Sequence, residues 1–211
     1  MLTQGNDVVA IGDVHGCASL LRQELEKYRD SGAEIILLGD LLDRSPEDGG
    51  ARAVLEHVWA IQADPGAYGL KALSVIRGNH EQMAIDALAQ GETGEASDLW
   101  FWNGGDLSVT GLLRERMDWL TSLPHYLIRG DYLFVHAGVR PGIPLEQQSM
   151  DDMLWIRQPF LGQPHGLRYV VVHGHSITAS KQVERKPWRI GIDTGAFLTG
   201  KLSSLRISPG G

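Results

Sequence analysis

Cysteine is almost missing: Cys17 is the only one in 211 residues. No internal disulfide can form, which excludes a small stapled secreted fold and favours a reducing compartment. Long apolar runs are missing too. Ile35-Ile36-Leu37-Leu38 and Tyr169-Val170-Val171-Val172 are among the longest, far below the roughly 20 residues of a membrane helix. Met1-Leu2-Thr3-Gln4-Gly5-Asn6-Asp7 has no basic n-region, so no signal peptide and no membrane attachment are expected, and the expected location is cytoplasmic. Positive charge is scarce: 19 Lys and Arg stand against 26 Asp and Glu, a net charge of -7. A protein that neutralises nucleic-acid phosphates wants a basic face, so nucleic acid is not expected as a partner. A phosphorylated substrate is still open to it, because local cations or metals override net charge. Nine prolines and no repeat, beside 26 glycines, exclude a collagen-like or low-complexity chain and point to many tight loops.

What is present is ordinary for a globular protein. Hydrophobic residues make up 43% and charged residues 21%, and the length suits one domain over residues 1–211. Short apolar runs alternate with longer helical patterns. Val8 to Ile11, Glu34 to Leu38 and Leu73 to Ile76 read as buried strands. Ala18 to Tyr28, Gly50 to Ile61 and Glu81 to Ala89 read as helices, the first with Leu20, Leu21 and Leu25 on one stripe. That rhythm is a βαβ signature. Gly91 to Gly105 reads as irregular or short-helical, and Arg114 to Ser122 as a helix stopped by Pro124. Tyr126-Leu127-Ile128 and Tyr132-Leu133-Phe134-Val135 flank Gly130-Asp131, a hairpin signal. Tyr169 to Val172, Arg189 to Ile192 and Leu202 to Ile207 are further strands, so the second half is expected to be mostly β.

Polar residues collect immediately after the strands. Asp13 and His15 follow the first, Asp40, Asp43 and Arg44 the second, Asn79 and His80 the third. His136 follows Phe134-Val135, and His173 and His175 follow Val171-Val172. Singly, each has an ordinary explanation: Asp13 or Asn79 caps a helix, a histidine is a satisfied polar group, Asp43-Arg44 is a solvated pair. Those explanations are independent of one another, whereas a site at the strand ends accounts for all of them together. Carboxylates, imidazoles and an amide oxygen without thiolate suit Mn, Fe, Zn, Co or Ni. Six candidate ligands exceed one site but suit two divalent ions sharing a carboxylate, an arrangement adapted to phosphoryl chemistry.

Gly12-Asp13-Val14-His15-Gly16, Gly39-Asp40-Leu41-Leu42-Asp43-Arg44, Gly78-Asn79-His80-Glu81, His136-Ala137-Gly138 and Gly174-His175 resemble the successive motifs of calcineurin-like metallophosphoesterases. Asp43-Arg44 and Asn-His-Glu narrow the resemblance to the phosphoprotein phosphatase branch. Gly78 to Met83, Trp102-Asn103-Gly104-Gly105 and Ile192-Asp193-Thr194-Gly195-Ala196 look most like the bacterial and phage lambda-type serine/threonine phosphatases. The motifs run in the family's order over nearly the whole chain.

The resemblance implies an α/β fold of two packed mixed sheets flanked by helices. It implies two divalent metal ions, manganese foremost. Asp13 and His15 would bind the first, Asp40 would bridge, and Asn79, His136 and His175 would complete the second. Asp43 and His80 would form a dyad, with His80 protonating the leaving alkoxide, while Arg44 and Arg157 would grip the phosphate. Arg140 lies closer to His136 but fits the pattern less well. Ser45 stands where the family often has Gly, and Ser176-Ile177 where Thr-Pro is common, which bears on loop shape and substrate fit. His57, His125 and His165 match no motif and are expected to be structural, as is Cys17. His173 matches no ligand position. The implied activity is hydrolysis of phosphoserine and phosphothreonine on proteins or peptides. The alternative is a nucleotide phosphohydrolase such as a symmetrical dinucleoside tetraphosphatase. A non-catalytic metal-binding module would need none of Asp43, His80, Arg44 and Arg157. Oligomeric state leaves no trace in the sequence.

Overall fold

A computed structural model describes residues 7–208 apart from Glu92. Strands β1 (Val8–Ile11), β2 (Glu34–Leu37) and β3 (Ala72–Val75) alternate with helices α1 (Ala18–Glu26) and α2 (Gly50–Ala63). The strands pair in parallel, in the order β3-β2-β1. Parallel neighbours need crossovers, and the helices supply them. Every residue of β2 is buried, as a strand covered on both faces must be. The sheet is closed on its other side by β9 (Ser204–Ile207), antiparallel to β1.

The second sheet is also mixed. Hairpin β4 (Tyr126–Arg129) and β5 (Tyr132–Val135) turns at Gly130-Asp131, with Gly130 at φ 58. Strands β6 (Val170–His173), β7 (Glu184–Arg185) and β8 (Arg189–Gly191) complete the order β4-β5-β6-β8-β7. Ala10, Ile36 and Leu38 of the first sheet meet Phe134, Val172 and Ile190 of the second in a buried apolar layer. The opposite face of the first sheet, through Val9, Ile11, Ile35 and Leu37, packs on Leu21, Val54, Leu55 and Val58 of the helices. The outer face of the second, through Leu133, Val135 and Val171, packs on Met153, Ile156 and Phe160. The fold is thus the expected pair of mixed sheets flanked by helices.

The middle, expected to be irregular or short-helical, holds the short helix α4 (Glu95–Trp102). Two segments differ from the sequence reading. The helix expected from Glu81 begins earlier: α3 spans Asn79–Ala89. The single helix expected over Arg114 to Ser122 is two, α5 (Thr110–Glu115) and α6 (Met117–Ser122), parted at Arg116. Tertiary packing accounts for the break. Arg116 lies over the Trp59 ring, Trp119 meets Trp59 edge-on, and the Trp119 indole donates to Gln62. The β-rich half also carries short helices α7 (Met150–Trp155) and α8 (Ala196–Thr199). No helix among the described residues is long and apolar enough to cross a membrane.

The inter-sheet layer makes one prediction. Phe134 is fully buried in it, so Phe134→Ala should cost about 3–5 kcal/mol of unfolding free energy. Leu198, 67% exposed, should tolerate alanine within about 0.5 kcal/mol. Urea unfolding followed by intrinsic fluorescence checks both.

Candidate active site

The loops that leave the strand ends meet over the edge of the inter-sheet layer. The β1 loop hangs on the β2 loop: the N–H groups of Val14 and His15 donate to the Asp40 carbonyl, and that of Gly16 to the Leu41 carbonyl. The β2 loop is tied to α3 by Glu81. This carboxylate accepts from the backbone N–H of Asp40 at 2.8 Å, Leu41 at 2.8 Å and Gly78 at 2.9 Å. Reaching back from the third helical residue to the N-cap is half of a capping box. Here Glu81 also holds another strand's loop. Gly78 has no side chain because a Cβ there would run into Asp40 and the Glu81 carboxylate.

Backbone strain gathers at this place. His15, Asp40, Asp43, Arg44 and His175 all adopt positive φ, between 46 and 66 degrees. Non-glycine residues in such conformations cost of order 1–3 kcal/mol each and persist where surrounding bonds over-determine them.

The candidate ligands face one another at short distances. His136 Nδ1 donates to the Leu38 carbonyl at 2.8 Å, so Nε2 is left as an acceptor. That Nε2 lies 2.8 Å from Asn79 Oδ1 and 3.4 Å from Asp40 Oδ1, both acceptors. His175 Nδ1 lies 2.9 Å from the same Asn79 oxygen. On the other side His15 Nδ1 donates to the Leu42 carbonyl at 3.0 Å, and its Nε2 stands 3.6 Å from Asp40 Oδ2. Two groups of atoms could therefore each hold a cation, and Asp40 belongs to both: Asp40, His136 and His175, and Asp40, His15 and His80.

The electrostatics lean the same way. Burial lowers the pKa of His15 to about 4, and lowers His136 and His175 as well, which keeps these rings neutral as ligands must be. Burial, then repulsion from Asp193 and Asp40, raises Asp13. Burial and Asp40 raise Glu81 to about 7, and burial raises Asp193 to about 6. Burial would raise Asp40 too, but His136, His80 and His15 outweigh it and hold it low. Buried carboxylates this crowded call for positive charge beside them. The donor set of imidazole nitrogens, carboxylates and an amide oxygen fits divalent cations.

Asp13 lies outside the two compact groups. Its carboxylate accepts the His175 N–H at 2.9 and 3.1 Å, and the compact group around His15 and Asp40 includes His80. His80 is turned there by Asp43, whose Oδ2 accepts from Nδ1 at 2.6 Å. His80 Nε2 is left without a hydrogen-bond partner, 3.9 Å from Asp40 Oδ2. Burial opposes charge on His80, but Asp40 and Asp43 prevail and raise its pKa.

Arg44 and Arg157 are both exposed at the rim. Arg44 Nε donates to the Asn103 carbonyl, Nη1 comes within 3.4 Å of His15 Nε2, and the guanidinium lies over Phe197. The charge of Arg157 reaches His136 and His175 and, after burial, helps to keep both unprotonated. Arg140 is instead committed to a bidentate pair with Asp152, at 2.7 and 2.5 Å. His173 turns away from the ligands, against Arg189 at 3.2 Å. His57 meets Tyr68, and His165 holds the Trp188 carbonyl. Cys17 is buried, and burial raises its thiol to about 11.

Three contributors were not assigned a role from sequence. Glu81 sits inside a quoted motif, and its place three residues into the helix was the available signal. Asp193 also lies in a quoted motif and presses on Asp13. Trp100, buried at 1% exposure, donates its indole N–H to Asp43 Oδ2 at 2.7 Å, while the Asp106 N–H takes Oδ1 at 2.9 Å. Nothing in the spacing marks that contact across 57 residues.

The Trp100–Asp43 bond is testable. Trp100→Phe keeps a ring and removes the donor, and hydrogen bonds to charged groups contribute about 1.5–3 kcal/mol. The variant should lose stability of that order in chemical denaturation. Its kcat should fall as well, because Asp43 is less firmly set against His80.

The sequence and the fold have counterparts among known proteins. The chain is 28% identical to serine/threonine-protein phosphatase 1 of Salmonella typhimurium (strain LT2) over 222 residues, 95% of this chain and 91% of that one. It is 33% identical to the symmetrical bis(5'-nucleosyl)-tetraphosphatase of a Janthinobacterium species (strain Marseille) over 135 residues, 63% of this chain and 43% of the other. A solved structure provisionally described as a diadenosine tetraphosphatase superposes with a TM-score of 0.68 at 22% identity, covering 98% of this chain and 90% of its own. The profile of the calcineurin-like phosphoesterases matches residues 7–190. With that match running through every strand-end motif, the chain belongs to the calcineurin-like phosphoesterase family.

Proposed function

We propose that this phosphoesterase removes phosphate from phosphoserine and phosphothreonine in proteins or peptides, as one catalytic domain acting in the cytoplasm. The observation that carries the chemistry is His80, held through Nδ1 by Asp43 at 2.6 Å with Nε2 unpartnered. The likeness to a protein phosphatase over 95% of the chain favours the protein substrate. The tetraphosphatase likeness covers 63% and, with the superposed structure, makes symmetrical dinucleoside tetraphosphate cleavage the second reading.

In this reading Asp13, His15 and Asp40 would hold one divalent ion, and Asp40, Asn79, His136 and His175 the other, with manganese the first candidate. Bound there, such ions neutralise phosphoryl charge and acidify water. The remaining work falls to the chain. Arg44 and Arg157 bind phosphoryl oxygens, for which a guanidinium fork is suited. His80 carries a proton at Nε2 and gives it to the leaving oxygen. Asp43, which accepts the Nδ1 proton, stabilises the doubly protonated ring that can do so, and the ring left behind is neutral with its proton on Nδ1.

The deciding experiment compares a phosphoserine peptide, a phosphotyrosine peptide and a dinucleoside tetraphosphate with manganese present. The phosphoserine peptide should have the highest kcat/KM; preference for the tetraphosphate would establish the second reading.

Two predictions belong to the mechanism. Chelation should abolish turnover and manganese should restore it, and Asp40→Asn should resist restoration most strongly, since Asp40 belongs to both ligand groups. Metal content measured beside turnover checks this. His80→Asn should lower kcat on a phosphoserine peptide about 10²–10⁴-fold. It should cost p-nitrophenyl phosphate far less, because nitrophenolate departs without a proton. Equal losses on the two esters would remove His80 from the donor role.

A further inference from the structure

The Phe197 ring touches two parts of the candidate site at once. The Arg44 guanidinium lies over it, with the central carbon 5.4 Å from the ring centroid. The His15 ring meets it edge-on, with centroids 4.9 Å apart. Phe197 is half-buried and packs on the helix-side core, so the ring has little freedom to turn away. The turn that carries it is closely bonded. Gly195, at φ 72, donates its N–H to Asp193 Oδ1 at 2.8 Å. The Thr194 hydroxyl donates to the Lys201 carbonyl at 2.8 Å, and the Thr199 hydroxyl to the Thr194 carbonyl at 3.0 Å.

Arg44 needs such a support. It is exposed, and among the described residues no carboxylate forms an ion pair with it. Its Nε is spent on the Asn103 carbonyl, and its Nη1 approaches His15 Nε2 at 3.4 Å. A cation held by His15 would take that nitrogen and repel the guanidinium. Two contacts then remain to keep Arg44 in place, the Asn103 carbonyl and the negative face of the Phe197 ring. The ring attracts the charge without consuming an N–H group. A carboxylate partner would compete for the donors that a phosphoryl group needs. Holding a long side chain in its bound conformation also removes an ordering cost from binding.

We propose that Phe197 is the positioning residue that keeps Arg44 aimed at the phosphoryl group. The inference rests on the reading of Arg44 as a phosphate ligand and names what sets its geometry.

The test measures the Kd of inorganic phosphate by calorimetry, with KM and kcat on p-nitrophenyl phosphate beside it. Phe197→Leu should raise Kd and KM roughly two- to fivefold while kcat holds. Phe197→Tyr keeps the ring and should restore wild-type values. In an Arg44→Ala background, Phe197→Leu should add no further loss, because the partner it acts on is gone. Pentafluorophenylalanine at position 197 keeps the shape and removes the negative face; it should behave as Phe197→Leu does, and it carries the test if that variant fails to fold. An unchanged Kd in both ring-altered variants, an equal loss in Phe197→Tyr, or a loss that persists undiminished without Arg44 overturns the proposal and leaves Arg44 as a phosphate ligand. An unchanged Kd in Arg44→Ala itself removes Arg44 from that role and overturns both.

Discussion

The Glu81 carboxylate is the contact on which the site depends. Three backbone N–H groups from two loops converge on it, and one of them belongs to Asp40, the residue shared by both candidate cation groups. Burial and the Asp40 charge raise its pKa to about 7, and its three N–H donors oppose that rise. Without Glu81 the Asp40, Leu41 and Gly78 amides would be buried unpaired, a penalty of about 1–3 kcal/mol each. The positive φ of Asp40 would also lose the bonds that enforce it. The β1 loop hangs on the Asp40 and Leu41 carbonyls, so Asp13 and His15 would lose their reference point too.

A division of labour follows between the two halves of the chain. The first sheet delivers Asp13, His15, Asp40, Asp43, Arg44, Asn79 and His80; the second delivers His136 and His175. The apolar layer through Ile36, Leu38, Phe134 and Val172 holds one sheet against the other, and Arg129 of β4 pairs with Glu34 of β2 beside it. That layer sets how far His136 stands from Asp40. Polar bonds within each loop then aim the side chains: His136 through the Leu38 carbonyl, His15 through the Leu42 carbonyl and His80 through Asp43.

Much of this was legible in the residues. Val8–Ile11 is short, apolar and followed by Gly-Asp, and it forms the strand expected, residue for residue. The strand-end polar residues were readable because strands fix which end of a sheet they reach, and the resemblance supplied their roles. Contacts that cross the chain without a periodic pattern were not legible. Trp100 is core, yet its indole N–H is also spent on Asp43. The break at Arg116 follows from a ring stack on Trp59, which no local propensity encodes. The pairing of Arg140 with Asp152 was not legible either, because that partner comes into range only when α7 folds against the loop after β5.

The pairing of β9 with β1 has a bearing on how the protein is made. Val8 lies opposite Ile207, so the first sheet keeps an open edge on β1 until β9 has left the ribosome. Exposed strand edges recruit other chains, and contacts between distant segments form slowly. During synthesis β1, β2 and β3 can assemble with α1 and α2 as soon as they emerge, but β1 then waits almost two hundred residues for its neighbour. The nascent chain is therefore most exposed to misassembly in the interval when its second sheet is being translated.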